Sequence, residues 1–275
     1  MPPAEEAWPA AWVCSSVMLR TLLAPRMLLS HLLVLVVAAG CVVAGSWQWE
    51  RLQEAREHNA LAEERMAAEP VALEELAAGT VDADELEHRR VHATGTFRPH
   101  EEVVQRNQSH HGNQGLFVLT PFELDDGTPV LVNRGWVPTD LDEPPLEEAP
   151  PPEGEVEITG LLQPSVGQPG FGATDPEEGR LERIFHADTE RLDQQVEGPL
   201  FPMVLRMQDP APPDGDLPLV LGDPQLDEAN HLSYALQWFS FAALALLTYG
   251  VWLVRRLRGG GTPIAPAVAP TDAAT

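Results

Sequence analysis

Cysteine is scarce in this chain of 275 residues, and its placement matters more than its count. The only two are Cys14, in the N-terminal tail, and Cys41, inside a long apolar run. Residues 47–231 carry none, which excludes a disulfide or a thiolate metal site there. That segment must be stabilised by a hydrophobic core, and it is long enough to build one. Lysine is absent altogether: all 17 basic residues are Arg, against 42 acidic ones. With the abundance of Ala, Pro and Glu, this is the signature of a GC-rich bacterial genome. Three catalytic signatures are also missing: the Gly-x-Ser-x-Gly elbow, the phosphate loop and the His-Glu-x-x-His helix. These absences disfavour a membrane hydrolase. No internal repeat is present, which removes the solenoids.

What the chain does have is two runs of membrane length. Residues 27–46 are interrupted only by Ser30, His31 and the final Ser46, and residues 232–254 carry no formal charge. About 20 helical residues cross a hydrocarbon core of about 30 Å, so both read as transmembrane helices. Arg20 and Arg26 precede the first, and Arg255, Arg256 and Arg258 follow the second. The positive-inside rule then puts residues 1–26 and 255–275 in the cytoplasm and residues 47–231 outside the cell membrane. The outer segment holds 12 basic and 39 acidic side chains, a net charge of −27. Such a surface repels nucleic-acid phosphates and anionic headgroups, so no nucleic-acid partner is expected. Ala38-Ala39-Gly40-Cys41 has the look of a lipoprotein processing site, yet the apolar run continues through Val42, Val43 and Ala44, which favours an uncleaved anchor. Ala38, Ala39, Gly40, Ala44 and Gly45 would let the first span pack closely on Ala242, Ala243, Ala245 and Gly250 of the second.

Trp47 and Trp49 mark the outer interface, and residues 50–69 continue as a solvated helix that Pro70 ends. Beyond it, alternation predicts strands over 91–97, 103–107, 115–124, 129–138, 155–162 and 203–207. Asp125-Asp126-Gly127-Thr128 reads as a hairpin turn, and 188–196 as a short helix capped by Asp188. Residues 139–153, 164–180 and 209–218 are rich in Pro, Gly and acids and read as mobile loops without a core of their own. The fold expected is an α+β membrane protein: two transmembrane helices flanking one exported, mainly antiparallel β domain.

Few side chains invite chemistry. His110-His111 reads as a solvated turn, and His88 and His92 could share a strand face without an acid at ligand spacing. Arg134 and Trp136, two apart in Asn133-Arg134-Gly135-Trp136, would project from one face of a strand. Their reading is structural before it is a ligand or partner contact, with Gly135 allowing a close backbone approach. His231 opens the second span, with Tyr234, Trp238 and Phe241 on the same helical stripe. It could be an axial ligand of haem iron, although spacing alone favours simple packing of that stripe. His31 lies at the opposite end of the membrane and cannot share an iron with His231.

Two phrases are specific together: Asn133-Arg134-Gly135-Trp136-Val137-Pro138 and Asn230-His231-Leu232-Ser233-Tyr234-Ala235-Leu236-Gln237-Trp238-Phe239. With Trp47-Gln48-Trp49-Glu50-Arg51-Leu52, Gly95-Thr96-Phe97, Thr120-Pro121 and Ile184-Phe185-His186-Ala187-Asp188 in order, the chain resembles the Surfeit locus one family. These are assembly factors of haem-copper cytochrome c oxidase. The resemblance implies a non-enzymatic chaperone that helps insert haem a into subunit I or stabilises it there. Its partners would be subunit I, haem a synthase and membrane lipid. Haem a would be held transiently, with His231 as iron ligand and Tyr234 and Trp238 beside it. Arg134 and Trp136 are then structural or partner-facing. A cofactor-free membrane scaffold that docks oxidase subunits is the alternative. The acidic, Pro-rich stretch 139–153 departs from the family pattern.

Overall fold

The structure is a computed structural model that describes residues 20, 22–77, 79–213 and 215–259. Among these, one compact unit comprises the chain up to Glu57 and from Asp227 on, and the other is His58–Leu226. The first apolar run lies in helix α1 (Pro25–Ala67), which continues through Cys41 and through the predicted Ala- and Glu-rich stretch without a break. It stops three residues short of Pro70, whose ring and missing N–H bar continuation. The second run lies in helix α5 (His231–Gly259). Both helices are long and apolar enough to cross a membrane.

Eight strands separate them: β1 (Val71–Ala72), β2 (Arg90–Phe97), β3 (Val103–His110), β4 (Asn113–Leu124), β5 (Pro129–Pro138), β6 (Glu155–Pro164), β7 (Arg183–Ile184) and β8 (Met203–Asp209). Short helices α2 (Leu73–Ala77), α3 (Ala83–Leu86) and α4 (Thr189–Leu192) punctuate them. The sheet order is β1-β2-β6-β8-β5-β4-β3-β7. A second edge of β2 pairs with β4, Gly95 with Leu124 and Phe97 with Phe122, so β2, β6, β8, β5 and β4 close into a ring. Most ladders are antiparallel; β1–β2, β3–β7 and β5–β8 are parallel.

Alternation fills the ring. Val91, Ala93, Phe97, Phe122, Leu124, Val130, Val132, Ile158, Leu162, Met203 and Leu205 form its buried core, each large side chain contributing about 1.5–3 kcal/mol. On the other face Leu119, Leu131 and Val204 pack on Leu181, Ile184, Ala187 and Leu192 around β7 and α4. Asp188 caps α4 as predicted, accepting from the Arg191 N–H. The Asp125–Thr128 hairpin forms, with the positive φ confined to Gly127.

Among the described residues the Pro-rich stretches hold no helix or strand beyond the strand ends Pro164 and Asp209, yet they are not free-hanging linkers. Within 139–153, Leu146 and Ala149 are buried against Val104, Leu116, Val118 and Val137. Within 164–180, the Asp175 carboxylate accepts the Phe185 and His186 N–H groups. Proline here saves conformational entropy in segments that side-chain anchors then fix.

Candidate functional site

In the unit that holds α5 and the part of α1 up to Glu57, the contact runs along one stripe of each helix. On α1 it carries Ala38, Cys41, Gly45, Gln48 and Leu52, and on α5 Ala235, Ala242 and Tyr249. A Cβ on Gly45 would come within 2.7 Å of the Phe239 ring, so a larger residue there would require that ring to shift. Of the other small residues expected in the seam, Ala39 and Ala243 are exposed, and a Cβ at Gly40 or Gly250 meets nothing. The Cys41 thiol is buried in the seam.

Polar ties close both ends of the pair. At one end the Tyr249 hydroxyl lies 2.7 Å from Ser30 Oγ and 2.6 Å from His31 Nδ1. At the other, His231 Nδ1 meets Gln48 Oε1 at 2.8 Å, and Arg56 pairs with Glu228 through two contacts of 3.0 and 3.1 Å. Seventeen residues of α1 separate His31 from Gln48, or about 25 Å of helix. His31 therefore cannot join His231 on one metal.

The aromatic stripe behaves differently from the packing expectation. Tyr234 and Phe241 are 50% and 45% exposed, and Trp238 is half-buried with its ring edge-on to Phe241 at 5.9 Å. Helix packing uses the stripe through Ala235 and Ala242 with Trp238 at its edge, so the aromatic face is split, Tyr234 and Phe241 being the exposed part. His231 stands half-buried at its head, and its Nε2 has no hydrogen-bond partner among the described residues.

Arg134 and Trp136 do not share a face. Leu119 pairs with Asn133 but Val118 with Gly135, so Arg134 is the extra residue of a β-bulge. The bulge switches parity: Arg134 turns to the side of Thr120, whereas Trp136 lies opposite Phe117 on the other side. Arg134 is 1% exposed. Its Nη2 donates to Glu102 Oε2 at 2.6 Å and to the Ala149 carbonyl at 2.8 Å, and its Nε donates to Thr120 Oγ1 at 2.8 Å. Burial pulls this guanidinium below its ordinary value, with the Glu102 carboxylate opposing. Gly135, at φ 138°, allows the Leu219 carbonyl to approach where any Cβ would overlap it. Trp136 is 7% exposed, and its Nε1 has no partner among the described residues. Arg134 thus acts inside the domain, and its partner Glu102 is the residue sequence reading missed. No periodicity announces Glu102, because it lies between a 3₁₀ turn and the start of β3.

The sequence profile of the SURF1 family matches residues 35–243. This chain belongs to the SURF1 family. An uncharacterised SURF1-like protein of Mycobacterium tuberculosis is 30% identical over 243 residues, covering 86% of this chain and 87% of that protein. Surfeit locus protein 1 of Homo sapiens is 27% identical over 254 residues, covering 83% and 77%. Cytochrome oxidase assembly protein SHY1 of Saccharomyces cerevisiae is 36% identical over 95 residues, covering 34% and 24%. The SURF1 match spans Gln48, Glu102, Arg134, Trp136 and His231 through Trp238, whereas Ser30, His31 and Tyr249 lie outside it.

The remaining histidines form no metal group among the described residues. His88 and His92 do not share a strand face, because His88 precedes β2 at φ 64°. The His88 ring lies 3.7 Å from Glu87 and edge-on to His58 at 6.3 Å. Burial holds this imidazole below its ordinary pKa of 6.5, with Glu87 opposing. An unfolded chain takes up that proton at a higher pH than the folded one. Stability is therefore full above pH 6.5 and declines as pH falls through and below it. His88→Gln should flatten the decline of Tm between about pH 7.5 and about pH 5.5. It should leave the part owed to His110, which burial also shifts downward.

Proposed function

We propose that this SURF1 family member is a membrane-anchored, non-enzymatic assembly factor for cytochrome oxidase. It assists the insertion of haem a into subunit I or its stabilisation there. The two long helices anchor it in the cell membrane, and residues 47–231 work on the extracytoplasmic side. Subunit I is its principal partner, with haem a synthase upstream. A role in oxidase assembly is supported by the family match and by the name of the yeast relative.

The single observation that carries the haem reading is the state of His231. Its Nδ1 is engaged by Gln48, its Nε2 has no partner among the described residues, and the Tyr234–Trp238 stripe runs along the same helix. A neutral imidazole with one nitrogen held and the other bare is a donor that could hold haem iron. These residues fit the group: His231 would hold the iron, and Tyr234 and Trp238 would shield the macrocycle. When bound, haem a supplies the redox centre that subunit I requires. The protein's share is to keep it oriented and out of water until transfer. An outer-end position suits a ligand that must be given up, because neither helix has to separate for it to leave.

Full-length protein purified in detergent and loaded with haem a should show a ligated haem spectrum. His231→Ala should abolish that spectrum while circular dichroism is unchanged. An unaltered spectrum in His231→Ala would sink the ligand assignment. A wild-type protein that stays colourless yet retains subunit I would establish a cofactor-free scaffold instead.

A further inference from the structure

Gln48 is an unremarked side chain in the Trp47-Gln48-Trp49 phrase, and the structure gives it a specific task. Its Oε1 lies 2.8 Å from His231 Nδ1, and with the amide in this orientation the carbonyl oxygen can only accept, which places the proton of the contact on Nδ1. A neutral imidazole has one N–H, and Nε2 is therefore the bare nitrogen. Gln48 occupies the α1 stripe that faces α5, between Gly45 and Leu52, and its side chain makes no other hydrogen bond among the described residues. Less than one turn away the Phe239–Gly45 approach fixes the separation of the helices, and the Arg56–Glu228 pair ties the same end. The seam thus fixes the stretch of α1 that carries the amide opposite His231. Metal-bound histidines are characteristically held in this way, their second nitrogen donating to a carbonyl or carboxylate.

We infer that Gln48 is the positioning residue of His231, fixing the Nδ1–H tautomer and the ring orientation so that Nε2 is presented to iron. The inference rests on reading His231 as the haem ligand, but its first consequence is visible without haem. An interhelical tie made by the same hydrogen bond would set the tautomer too, so haem affinity and reduction potential in the Gln48 variants are what separate positioning from a tie.

The experiment uses the full chain, labelled with ¹⁵N-histidine, in lipid nanodiscs, with His231→Ala identifying the resonance. In the cofactor-free protein His231 should be in the Nδ1–H form. Gln48→Leu should convert it to a mixture of tautomers, whereas Gln48→Glu, which keeps an acceptor, should retain it. On titration with haem a, Gln48→Leu should bind about 10–100-fold more weakly. Gln48→Glu should bind well and shift the haem reduction potential to more negative values, because a carboxylate makes the imidazole a stronger donor. An Nε2–H tautomer in the wild type, or a tautomer unmoved by Gln48→Leu, overturns the proposal. So does haem ligated by His231 with equal affinity and potential in all three proteins. An Nδ1–H ring controlled by Gln48 in a protein that takes no haem overturns the ligand reading and leaves Gln48 as an interhelical tie.

Discussion

Glu102→Ala should destabilise the folded β domain by about 3–5 kcal/mol, because it strands a buried guanidinium. The carboxylate is almost wholly enclosed, with a side-chain exposure of 1%, equal to that of Arg134. Its Oε2 accepts from Arg134 Nη2 at 2.6 Å and from the Thr120 hydroxyl at 2.7 Å, and its Oε1 accepts the Leu146 N–H at 2.9 Å. One residue before β3 therefore joins β4, β5 and the Pro-rich stretch 139–153. Removing it leaves Arg134 with Thr120 and Ala149 as acceptors, neither of them charged. Arg134→Ala should cost a comparable amount for the opposite reason, an uncompensated carboxylate. The double variant Glu102→Ala/Arg134→Ala should lose less than the sum of the two, the signature of coupled partners. The exposed pair Arg183–Asp142 is the control: at 51% and 39% exposure its removal should change stability by about 1 kcal/mol or less. Denaturant titration of the detergent-solubilised protein measures all four. Limited proteolysis should cut 139–153 earlier in Glu102→Ala than in the wild type. Equal effects for the buried and exposed pairs would refute the account.

The same region shows what the sequence could and could not announce. Strand β2 was legible because one face is buried, which imposes a period of two on its residues, whereas β5 and most of β4 are buried on both faces and were marked as a pair by the Asp-Gly turn between them. The two long helices were legible from length and apolarity alone. Strands β1 and β7, of two residues each, are too short to carry a period. The bulge at Arg134 was invisible for a different reason: alternation assumes an unbroken ladder, and a single extra residue reverses every face beyond it. That is why Arg134 and Trp136, two apart, point to opposite sides. The buried Glu102 was hidden because an acid in a chain with 42 of them does not stand out. At the helix ends, His231 was picked out by its chemistry and by the phrase around it. Gln48 was not, since its role depends on another residue 183 positions away. The partial exposure of the aromatic stripe was likewise beyond periodicity, which gives the angle between side chains but not which stripe a partner helix covers.

Gly95→Ala should be as damaging as loss of the ion pair, and through geometry alone. The ring of strands closes where the end of β2, still paired with β6, also pairs with β4. At that crossing Gly95 is opposite both Val156 and Leu124, and the Glu123 carbonyl occupies the space a Cβ would need. The obstacle is backbone, with the Phe122 ring at 3.0 Å behind it, so no side-chain rotation relieves the overlap. One methyl group must then push β2 off β4, exposing the Phe97–Phe122 contact, whose ring centroids are 4.8 Å apart. Overpacking of this kind costs about 1–3 kcal/mol where side chains can adjust, and more where the main chain must move. Gly160→Ala should behave alike, because the Arg206 carbonyl fills the equivalent position between β6 and β8. Gly167→Ala, with open space around its Cβ position, should be neutral. Thermal unfolding in detergent ranks the three, and near-equal Tm values would show that the seam tolerates separation.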